Sequence, residues 1–397
     1  MLKNDEFKKN NSVKLIKSAE YFPLLISCIQ SAKQTIYFHT YIFSNDPTGK
    51  MVATELIASA QKGVKIYLLI DGFASRQLPI EIINKFRQVG INVAQFEPIL
   101  KSKSYYFGRR MHQKVIVADE EKAIIGGMNI ADKYNNTPKH KAWLDFAVEV
   151  KGDVVHEINA YCKEFWKKEP TINENENYSF HQNKKIKIEA DVKEDYLVRV
   201  RINDWLKHRN EVSNTYLQLL KSAQKEIYIL CSYFIPGRAI RRQIVKSAKK
   251  GITIKVIMAG KSDVAIAKFA ERWLYDWLLR NHILLYEFQP NVLHGKIAVS
   301  DESLVTIGSY NINNISTYAS LEMNIDIKND GFAKKVKEEI EKIIDSDCVA
   351  ITTELHRKQK NPVKQFARWI SYQTIRFLLF VFTFYIKRKN INYHKSA

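Results

Sequence analysis

Two segments of the chain carry histidine, lysine, aspartate and asparagine in the same register. They read MHQKVIVADEEKAIIGGMN and LHGKIAVSDESLVTIGSYN. The matched pairs are His112 with His294, Lys114 with Lys296, Asp119 with Asp301, Gly126 with Gly308, Gly127 with Ser309, and Asn129 with Asn311. One HxK sequence alone is usually an ordinary strand histidine. Two copies that keep every spacing while their apolar residues vary indicate a catalytic site.

The chemistry that suits this set is transfer of a phosphoryl group. Lysines supply positive charge to phosphate oxygens, and amide side chains can hydrogen-bond them. One histidine can attack phosphorus and form a phosphohistidine, while the other protonates the leaving alkoxide and then deprotonates the incoming alcohol or water. We expect Asn129, Asn311, Gly127 and Ser309 to contact the substrate. With no HxH or HExxH motif, we expect neither a metal nor another cofactor.

Asp119 and Asp301 allow two interpretations. Each completes a copy of the repeated motif, and on that ground each is a candidate catalytic residue. Each also follows a short apolar run, at a position where aspartate commonly forms a turn. A structural role in each half therefore stays open beside the catalytic one.

The motifs need strands to position them, because residues two apart on a strand point to one face. Upstream of the first motif, SAKQTIYFHTYIF, KMVATELIASAQKG and VKIYLLID read as strand, helix and strand. SAQKEIYILCSYFIP, AIRRQIVKSAKKG and ITIKVIMAG repeat that order downstream. Strands that alternate with helices predict an α/β fold, with a largely parallel mixed sheet flanked by helices in each half.

The repeat divides the chain into lobes. We expect a first lobe over 1–170, a polar linker over 171–195, a second lobe over 196–345, and a C-terminal tail over 346–397. Two such similar lobes are expected to pack with pseudo-twofold symmetry around one shared site.

Composition limits the partners and the compartment. The 397 residues are 46% apolar and carry a formal net charge of +20, which predicts an anionic partner such as nucleic acid, a phosphate ester or a membrane surface. Cys28, Cys162, Cys231 and Cys348 are widely separated, which argues against structural zinc and against disulfides and favours a reducing compartment. We expect no secretory signal.

The C-terminal segment from Val363 is apolar, aromatic and basic. Its uninterrupted apolar part, Phe377–Ile386, is about half of the ~20 residues that span a bilayer. This pattern favours a helix that lies in the membrane interface or inserts shallowly. The alternative is a C-terminal helix that packs on the lobes.

The two motifs resemble the defining motif of the phospholipase D superfamily, HxK, four residues, D, six residues, then G-[GS]-x-N. Within that superfamily the chain is similar to bacterial cardiolipin synthases over about residues 13–330. The stretches that carry the resemblance include RRMHQKVIVADEEKAIIGGMNIADKY, WLDFAVEVKG, SYFIPGRAI and SYNINNISTYASLEMN.

The resemblance implies a metal-independent phosphatidyltransferase. Such an enzyme joins two phosphatidylglycerols into cardiolipin and releases glycerol through a phosphatidyl-histidine intermediate. In the superfamily the first-motif histidine is usually the nucleophile, which implies that role for His112 and the acid/base role for His294. Family members also carry an acidic residue after each motif that orients a histidine, and Asp145 and Glu322 stand at those positions. Leu144 replaces the usual arginine, a difference expected to alter headgroup contacts.

The resemblance also implies phosphatidylglycerol as substrate and the membrane surface as partner, at the cytoplasmic face of the cell membrane. Many members begin with two membrane-spanning helices that have no counterpart before the first lobe here. Attachment is then expected through the basic surface, the C-terminal helix and the loop Leu100–Arg110, for which a lid over the cleft is the alternative. No nucleic acid is expected, and the sequence carries no indication of the oligomeric state.

Three other functions remain open from the residues themselves. A phospholipase D-type hydrolase would use water in place of the acceptor alcohol. A nuclease of the same superfamily would use the same residues on a nucleic-acid phosphodiester, which the net charge also suits. A basic membrane-binding scaffold without activity is disfavoured by two intact motifs.

Overall fold

The fold is known from a computed structural model that describes residues 6–97, 109–168, 196–358 and 360–393. The chain forms two compact units. The first comprises Met1–Ala142, Phe146–Val200 and Ile325–Ile327, and the second comprises Trp143–Asp145, Arg201–Asn324 and Lys328–Ala397. The tail therefore belongs to the second unit, and the segment 171–195, predicted to be a linker, lies outside the described residues.

The first unit alternates strands with helices. Its strands are β1 (Lys8–Lys17), β2 (Thr35–Thr40), β3 (Lys65–Asp71), β4 (Asn92–Phe96), β5 (Arg110–Met111), β6 (Val115–Ala118), β7 (Lys122–Gly126) and β8 (Phe146–Gly152). Its helices are α1 (Tyr21–Ser31), α2 (Pro47–Gln61), α3 (Ile80–Gln88) and α4 (Asp153–Lys168). Strand β9 (Tyr196–Asp204) contains the point where the two units divide.

The sheet of the first unit is mixed. Strands β2, β3 and β4 run parallel, which requires the crossover helices α2 and α3 between them. Strand β6 then pairs antiparallel with β2, β7 with β6, β8 with β7, and β1 with β8. Every residue of β6 is buried, so the strand that follows the first HxK sequence is anchored in the core.

The second unit repeats this order. Its strands are β10 (Arg209–Asn210), β11 (Glu226–Cys231), β12 (Thr253–Lys261), β13 (Leu284–Val292), β14 (Lys296–Ser300), β15 (Leu304–Gly308), β16 (Ser320–Lys328, of which Ile325–Ile327 belong to the first unit) and β17 (Cys348–Ala350). Its helices are α5 (Glu211–Ser222), α6 (Arg238–Lys249), α7 (Ala265–Trp273), α8 (Tyr275–Arg280), α9 (Asn314–Tyr318), α10 (Asp330–Asp347), α11 (Thr353–Lys358) and α12 (Pro362–Tyr393).

The α/β prediction, with a mixed sheet in each half, is confirmed. Strands β11, β12 and β13 are parallel, and β14 and β15 are antiparallel to their neighbours, as β6 and β7 are in the first unit. Fewer of the strand pairs are parallel than the sequence predicted. Each motif strand returns through a tight turn with two consecutive residues at positive φ, Asp119–Glu120 and Asp301–Glu302, and such a turn joins only antiparallel strands.

Helix α12 packs against α7, with Arg368 and Tyr372 buried. The packing alternative therefore holds for the first part of this helix. Most of the apolar stretch Phe377–Ile386 lies outside the residues whose side chains are described, as do residues 100–108 of the predicted lid or interface loop. Among the described residues, no helix combines the length and apolar character that a membrane crossing needs.

A histidine sits in the core of the first unit. The imidazole of His39, on β2, is fully buried, and the amide Nε2 of Gln113 lies 2.9 Å from its Nδ1. Tyr161 donates a hydrogen bond of 2.8 Å to Oε1 of that amide. Because the amide N–H donates, Nδ1 must accept and the ring must be neutral. Burial lowers the pKa of His39 to about 3, which agrees with a neutral ring.

Replacement of His39 by leucine should make the protein less sensitive to acid. Leu230 occupies the matching position in the second half. The folded-state pKa of about 3 lies below the ordinary 6.5, so stability from the neutral ring is complete above pH 6.5 and is lost as the pH falls toward 3. The slope is at most about 1.4 kcal/mol per pH unit.

Urea unfolding at pH 7, 6, 5 and 4.5 measures this difference. The free energy of unfolding should fall more steeply on acidification for the wild type than for His39→Leu. Parallel pH profiles for the two proteins would show that folding does not lower the pKa of His39.

Candidate active site

The second-unit site is built around a buried pair. Nδ1 of His294 lies 2.7 Å from Oδ2 of Asp145, and both side chains are buried, that of Asp145 completely. Nζ of Lys296 lies 2.9 Å from the same Nδ1 and also contacts the carbonyl oxygen of His294. Burial lowers the pKa of Lys296, and the negative charge of Asp145 opposes that shift. The three groups thus form one compact cluster.

The geometry determines which nitrogen of His294 can react. Nδ1 has a single in-plane position for a hydrogen bond, so it cannot both donate to Asp145 and accept from Lys296. A carboxylate is only an acceptor, so the proton on Nδ1 points to Asp145, and the ammonium of Lys296 is satisfied by the carbonyl oxygen of His294. With Nδ1 bonded to Asp145, proton transfer or nucleophilic attack by this ring would use Nε2.

The backbone of Leu144 holds this cluster in place. Its N–H donates to the carbonyl of Val292, and its carbonyl accepts from the N–H groups of His294 at 2.7 Å and Gly295 at 3.0 Å. The segment Trp143–Asp145 lies between β7 and β8 in sequence but belongs to the second unit. The residue that departs from the family pattern therefore positions the second motif through its main chain.

Glu322 lies at the start of β16, fully buried. The hydroxyl of Ser309 donates to its Oε2 at 2.5 Å and accepts from the N–H of Met323 at 3.1 Å. A Cβ on Gly308 would lie 2.2 Å from the carbonyl oxygen of Met323, so only glycine permits this approach. The Gly-Ser pair therefore brings the motif strand against the strand that carries Glu322.

Ser232 is a site residue that the sequence did not reveal. It follows β11, is buried, and its hydroxyl lies 3.0 Å from Oδ1 of Asn311 and 3.2 Å from the carbonyl oxygen of His294. The amide of Asn311 is thus bonded within its own unit. The signal for Ser232 is faint, because Tyr41 occupies the matching position in the first half.

The first-unit site contains His112, Lys114 and Tyr41. The ring of Tyr41 meets that of His112 edge-on, with centroids 4.9 Å apart, and Nζ of Lys114 lies 5.0 Å from the Tyr41 ring centre. Lys114 is buried and its ammonium contacts the carbonyl oxygen of His112, as Lys296 does with His294. An aromatic ring thus takes the place that a serine has in the second unit.

Asp71, at the end of β3, fixes the peptide before His112. Its buried carboxylate accepts from the N–H of Met111 at 3.0 Å and lies 3.3 Å from Nη1 of Arg110. Sequence reasoning missed this residue because the matching position in the second half is Ala259, so the repeat does not point to it.

Asn129 and Gly127 also have partners within their unit. Oδ1 of Asn129 accepts from the N–H of Ile42 at 3.1 Å, and its Nδ2 donates to the hydroxyl of Tyr134 at 2.8 Å. The N–H of Gly127 donates to the carbonyl of Phe146. The amide of Asn129 therefore fixes the loop after β2, which carries Tyr41.

Asp119 and Asp301 lie at the far ends of β6 and β14 from the histidines. The carboxylate of Asp119 accepts from three consecutive backbone N–H groups, those of Lys33, Gln34 and Thr35, at 2.6 to 2.8 Å. The carboxylate of Asp301 accepts from those of Gln224, Lys225 and Glu226 at 2.7 to 2.9 Å. Each aspartate clamps the start of the strand that pairs with its motif strand, as the structural interpretation expects.

Four comparisons place the chain among known proteins. The family model described as "Cardiolipin synthase, PLD-like domain" matches residues 25–166 and 216–344. Cardiolipin synthase B of Shigella flexneri is 30% identical over 356 residues, which cover 86% of this chain and 82% of the relative. Cardiolipin synthase 1 of Bacillus cereus is 26% identical, with 84% and 65% covered. The crystal structure of phosphatidylserine synthase from Haemophilus influenzae Rd KW20 shares the fold, with 16% identity and a TM-score of 0.70 over 91% of this chain and 94% of that one.

Removal of either clamp should destabilise the protein. We expect Asp119→Ala and Asp301→Ala each to lower the free energy of unfolding by about 1–3 kcal/mol, because three backbone N–H groups lose their acceptor. Chemical denaturation measures the loss, and Glu121→Ala, an exposed carboxylate in the same turn as Asp119, is the control. A variant with wild-type stability and no turnover would instead place that aspartate in the chemistry.

Proposed function

Because the chain belongs to the cardiolipin synthase family with the PLD-like domain, as its motifs predicted, we propose that it is a phosphatidyltransferase. Its reaction joins two phosphatidylglycerols into cardiolipin and releases glycerol. The observation that carries the proposal is the buried contact between Asp145 and His294, which prepares one motif histidine for proton transfer. The coarser conclusion, a phospholipid-modifying enzyme, follows from the family itself.

The proposed reaction has two steps. Nε2 of His112 attacks the phosphorus of one phosphatidylglycerol, and the bond from phosphorus to the glycerol headgroup oxygen breaks. His294 gives its Nε2 proton to that leaving oxygen, so glycerol departs and a phosphatidyl-histidine remains. His294 then takes the proton of a hydroxyl on a second phosphatidylglycerol, whose oxygen attacks phosphorus. Cardiolipin forms and His112 is released.

The other motif residues have supporting roles in this scheme. Lys114 and Lys296 supply positive charge to the phosphoryl oxygens, and their burial keeps that charge effective because little water screens it. Asp145 holds the tautomer of His294 and stabilises the ring when it is protonated. Glu322 is proposed to do the same for His112, with Ser309 fixing its carboxylate.

The motif asparagines and Gly127 enter the proposal in a narrower form than substrate binding. Their hydrogen bonds within each unit support a positioning role, because they fix the loops that carry Tyr41 and Ser232. Asp119 and Asp301 are assigned to strand clamping and not to the reacting atoms. Contact with phosphate then falls to the two lysines and the two histidines.

Phospholipids as substrates imply that the protein works at a membrane surface. We propose peripheral or shallow attachment at the cytoplasmic face, where a basic protein meets anionic lipids. Hydrolysis to phosphatidic acid is the second candidate, because water competes with the acceptor hydroxyl for the same intermediate.

Purified protein incubated with phosphatidylglycerol vesicles should produce cardiolipin and glycerol, resolved by chromatography and mass spectrometry. His112→Ala and His294→Ala should each lower turnover by on the order of a thousandfold or more, since each removes a group that takes part in both steps. His282→Ala, a histidine on a turn after α8, is the control.

The products separate the alternatives. Phosphatidic acid without cardiolipin would identify a hydrolase, and DNA cleavage without lipid turnover would overturn the lipid assignment. Near-normal turnover by either motif variant would contradict the two-histidine mechanism.

Replacement of the carboxylate beside His294 should affect the rate more than binding. We expect Asp145→Asn to lower kcat by on the order of a hundredfold or more with a small change in KM, because an amide can hold the wrong tautomer while Asp145 itself does not contact substrate. Steady-state kinetics on phosphatidylglycerol measure both constants. Asp153→Asn, an exposed position at the start of α4, is the matched control. An unchanged kcat for Asp145→Asn would remove Asp145 from the mechanism.

A further inference from the structure

Exposed apolar side chains are concentrated on two helices of the second unit. Of the fifteen large apolar side chains exposed among the described residues, nine lie on α12 or at the start of α7. They are Val264, Ile266 and Phe269 beside or within α7, and Val363, Phe366, Trp369, Ile370, Phe377 and Leu378 on α12. Since α7 and α12 pack against each other, the concentration belongs to one region of the unit. We call these nine residues the α7–α12 face.

The spacing on α12 separates a packed side from an exposed one. Arg368 and Tyr372, one turn apart, are buried, and the hydroxyl of Tyr372 accepts from Nη1 of Arg241 at 3.0 Å. The exposed residues Val363, Phe366, Ile370 and Phe377 recur at intervals of three, four and seven, which places them along one stripe away from the packed side.

The exposure of this stripe is large. Val363 is 77% exposed, Phe366 is 60% and Phe377 is 64%. Single exposed apolar residues are normal on protein surfaces, but a cluster of this size marks an interaction site. Phe366 and Trp369 also stack, with ring centroids 5.8 Å apart, so that two aromatic rings share this surface.

The charges around the stripe indicate the partner. Residues 353–378 contain six basic side chains and one acidic one. Arg357, Lys364 and Arg376 are exposed there, and the acidic residue, Glu354, is paired with Lys358 at 2.7 Å. A second copy of a chain with net charge +20 would be repelled from such a surface, whereas anionic headgroups would be attracted. Aromatic and aliphatic residues fringed by cations are typical of segments that lie in a membrane interface.

We propose that the α7–α12 face docks the protein on an anionic phospholipid surface. The exposed stripe then lies at the boundary between headgroups and acyl chains, and the basic side chains around it lie among the headgroups. The inference rests on the proposed function only in its choice of lipid over other anions. It adds the start of α7 to the docking surface, a segment without any membrane signal in its sequence.

Helix α7 also links this surface to the candidate site. The fully buried carboxylate of Glu271 on α7 accepts from the N–H of Phe234 at 2.7 Å, and Lys268 pairs with the same carboxylate at 3.3 Å. Phe234 lies two residues after Ser232, whose hydroxyl bonds to the carbonyl oxygen of His294. The helix that meets the lipid is therefore bonded to the loop that supports the second motif.

Co-sedimentation of the full chain with vesicles tests the proposal. Vesicles of phosphatidylcholine with phosphatidylserine present an anionic surface without the proposed substrate, and vesicles of phosphatidylcholine alone are the neutral reference. The wild type should bind the anionic vesicles. The triple variant Phe366→Gln/Ile370→Gln/Phe377→Gln should bind more weakly by on the order of tenfold or more, because three large apolar side chains no longer enter the interface. Met51→Gln/Ile80→Gln/Leu284→Gln, three exposed apolar residues elsewhere, should bind as the wild type does.

A fluorescent label reports the contact directly. Cys28, Cys162 and Cys231 are buried, so Cys348→Ser with Phe366→Cys allows one label at the stripe. An environment-sensitive dye there should shift to the blue when anionic vesicles are added, and the same dye at Ile80→Cys should not.

The outcomes distinguish this proposal from the proposed function. Equal vesicle binding by the wild type and the stripe variant would overturn the docking face even if cardiolipin is formed. A blue shift that rises with protein concentration in the absence of vesicles would assign the face to a second copy of the chain and overturn lipid docking. Weakened binding by the stripe variant, with no cardiolipin made by the wild type, would support the face and overturn the transferase.

Discussion

The buried contact between Asp145 and His294 constrains much of the second unit. Removing a carboxylate and an ammonium from water is costly unless they compensate each other at close range, and Asp145, His294 and Lys296 do so in one cluster. The cluster requires the main chain of Leu144 to run beside the second motif, where its carbonyl accepts from two consecutive N–H groups. The segment Trp143–Asp145 therefore supplies both the carboxylate beside His294 and the main-chain hydrogen bonds to the second motif.

The two halves share a frame and differ in what they place around it. The clamps formed by Asp119 and Asp301 are nearly identical, and each fixes one strand start to one turn. Around the histidines the halves diverge, with Tyr41 in one and Ser232 in the other. A common frame with different neighbours gives two histidines distinct surroundings, which suits a reaction that needs a nucleophile and an acid/base.

Features that occur in both halves of the chain could be predicted from the sequence, whereas site residues that occur in only one half were missed. The motif pairs and the α/β class follow from matched spacings and strand periodicity, and the family was predicted from the resemblance of the two motifs to a known one. Asp71, Tyr41 and Ser232 have no counterpart of the same type in the other half, so comparison of the halves could not find them. The buried state of His39 and the exposed apolar residues of α7 depend on tertiary packing, and residue spacing carries little information on which side of a short helix stays uncovered.

The sequence repeat and the structural unit do not coincide at Trp143–Asp145. A fragment that begins after α4 would contain His294 and Lys296 but not the carboxylate that their cluster requires. The second half of the repeat is thus not self-sufficient, because a segment that precedes β8 in the chain supplies the acid of its histidine cluster.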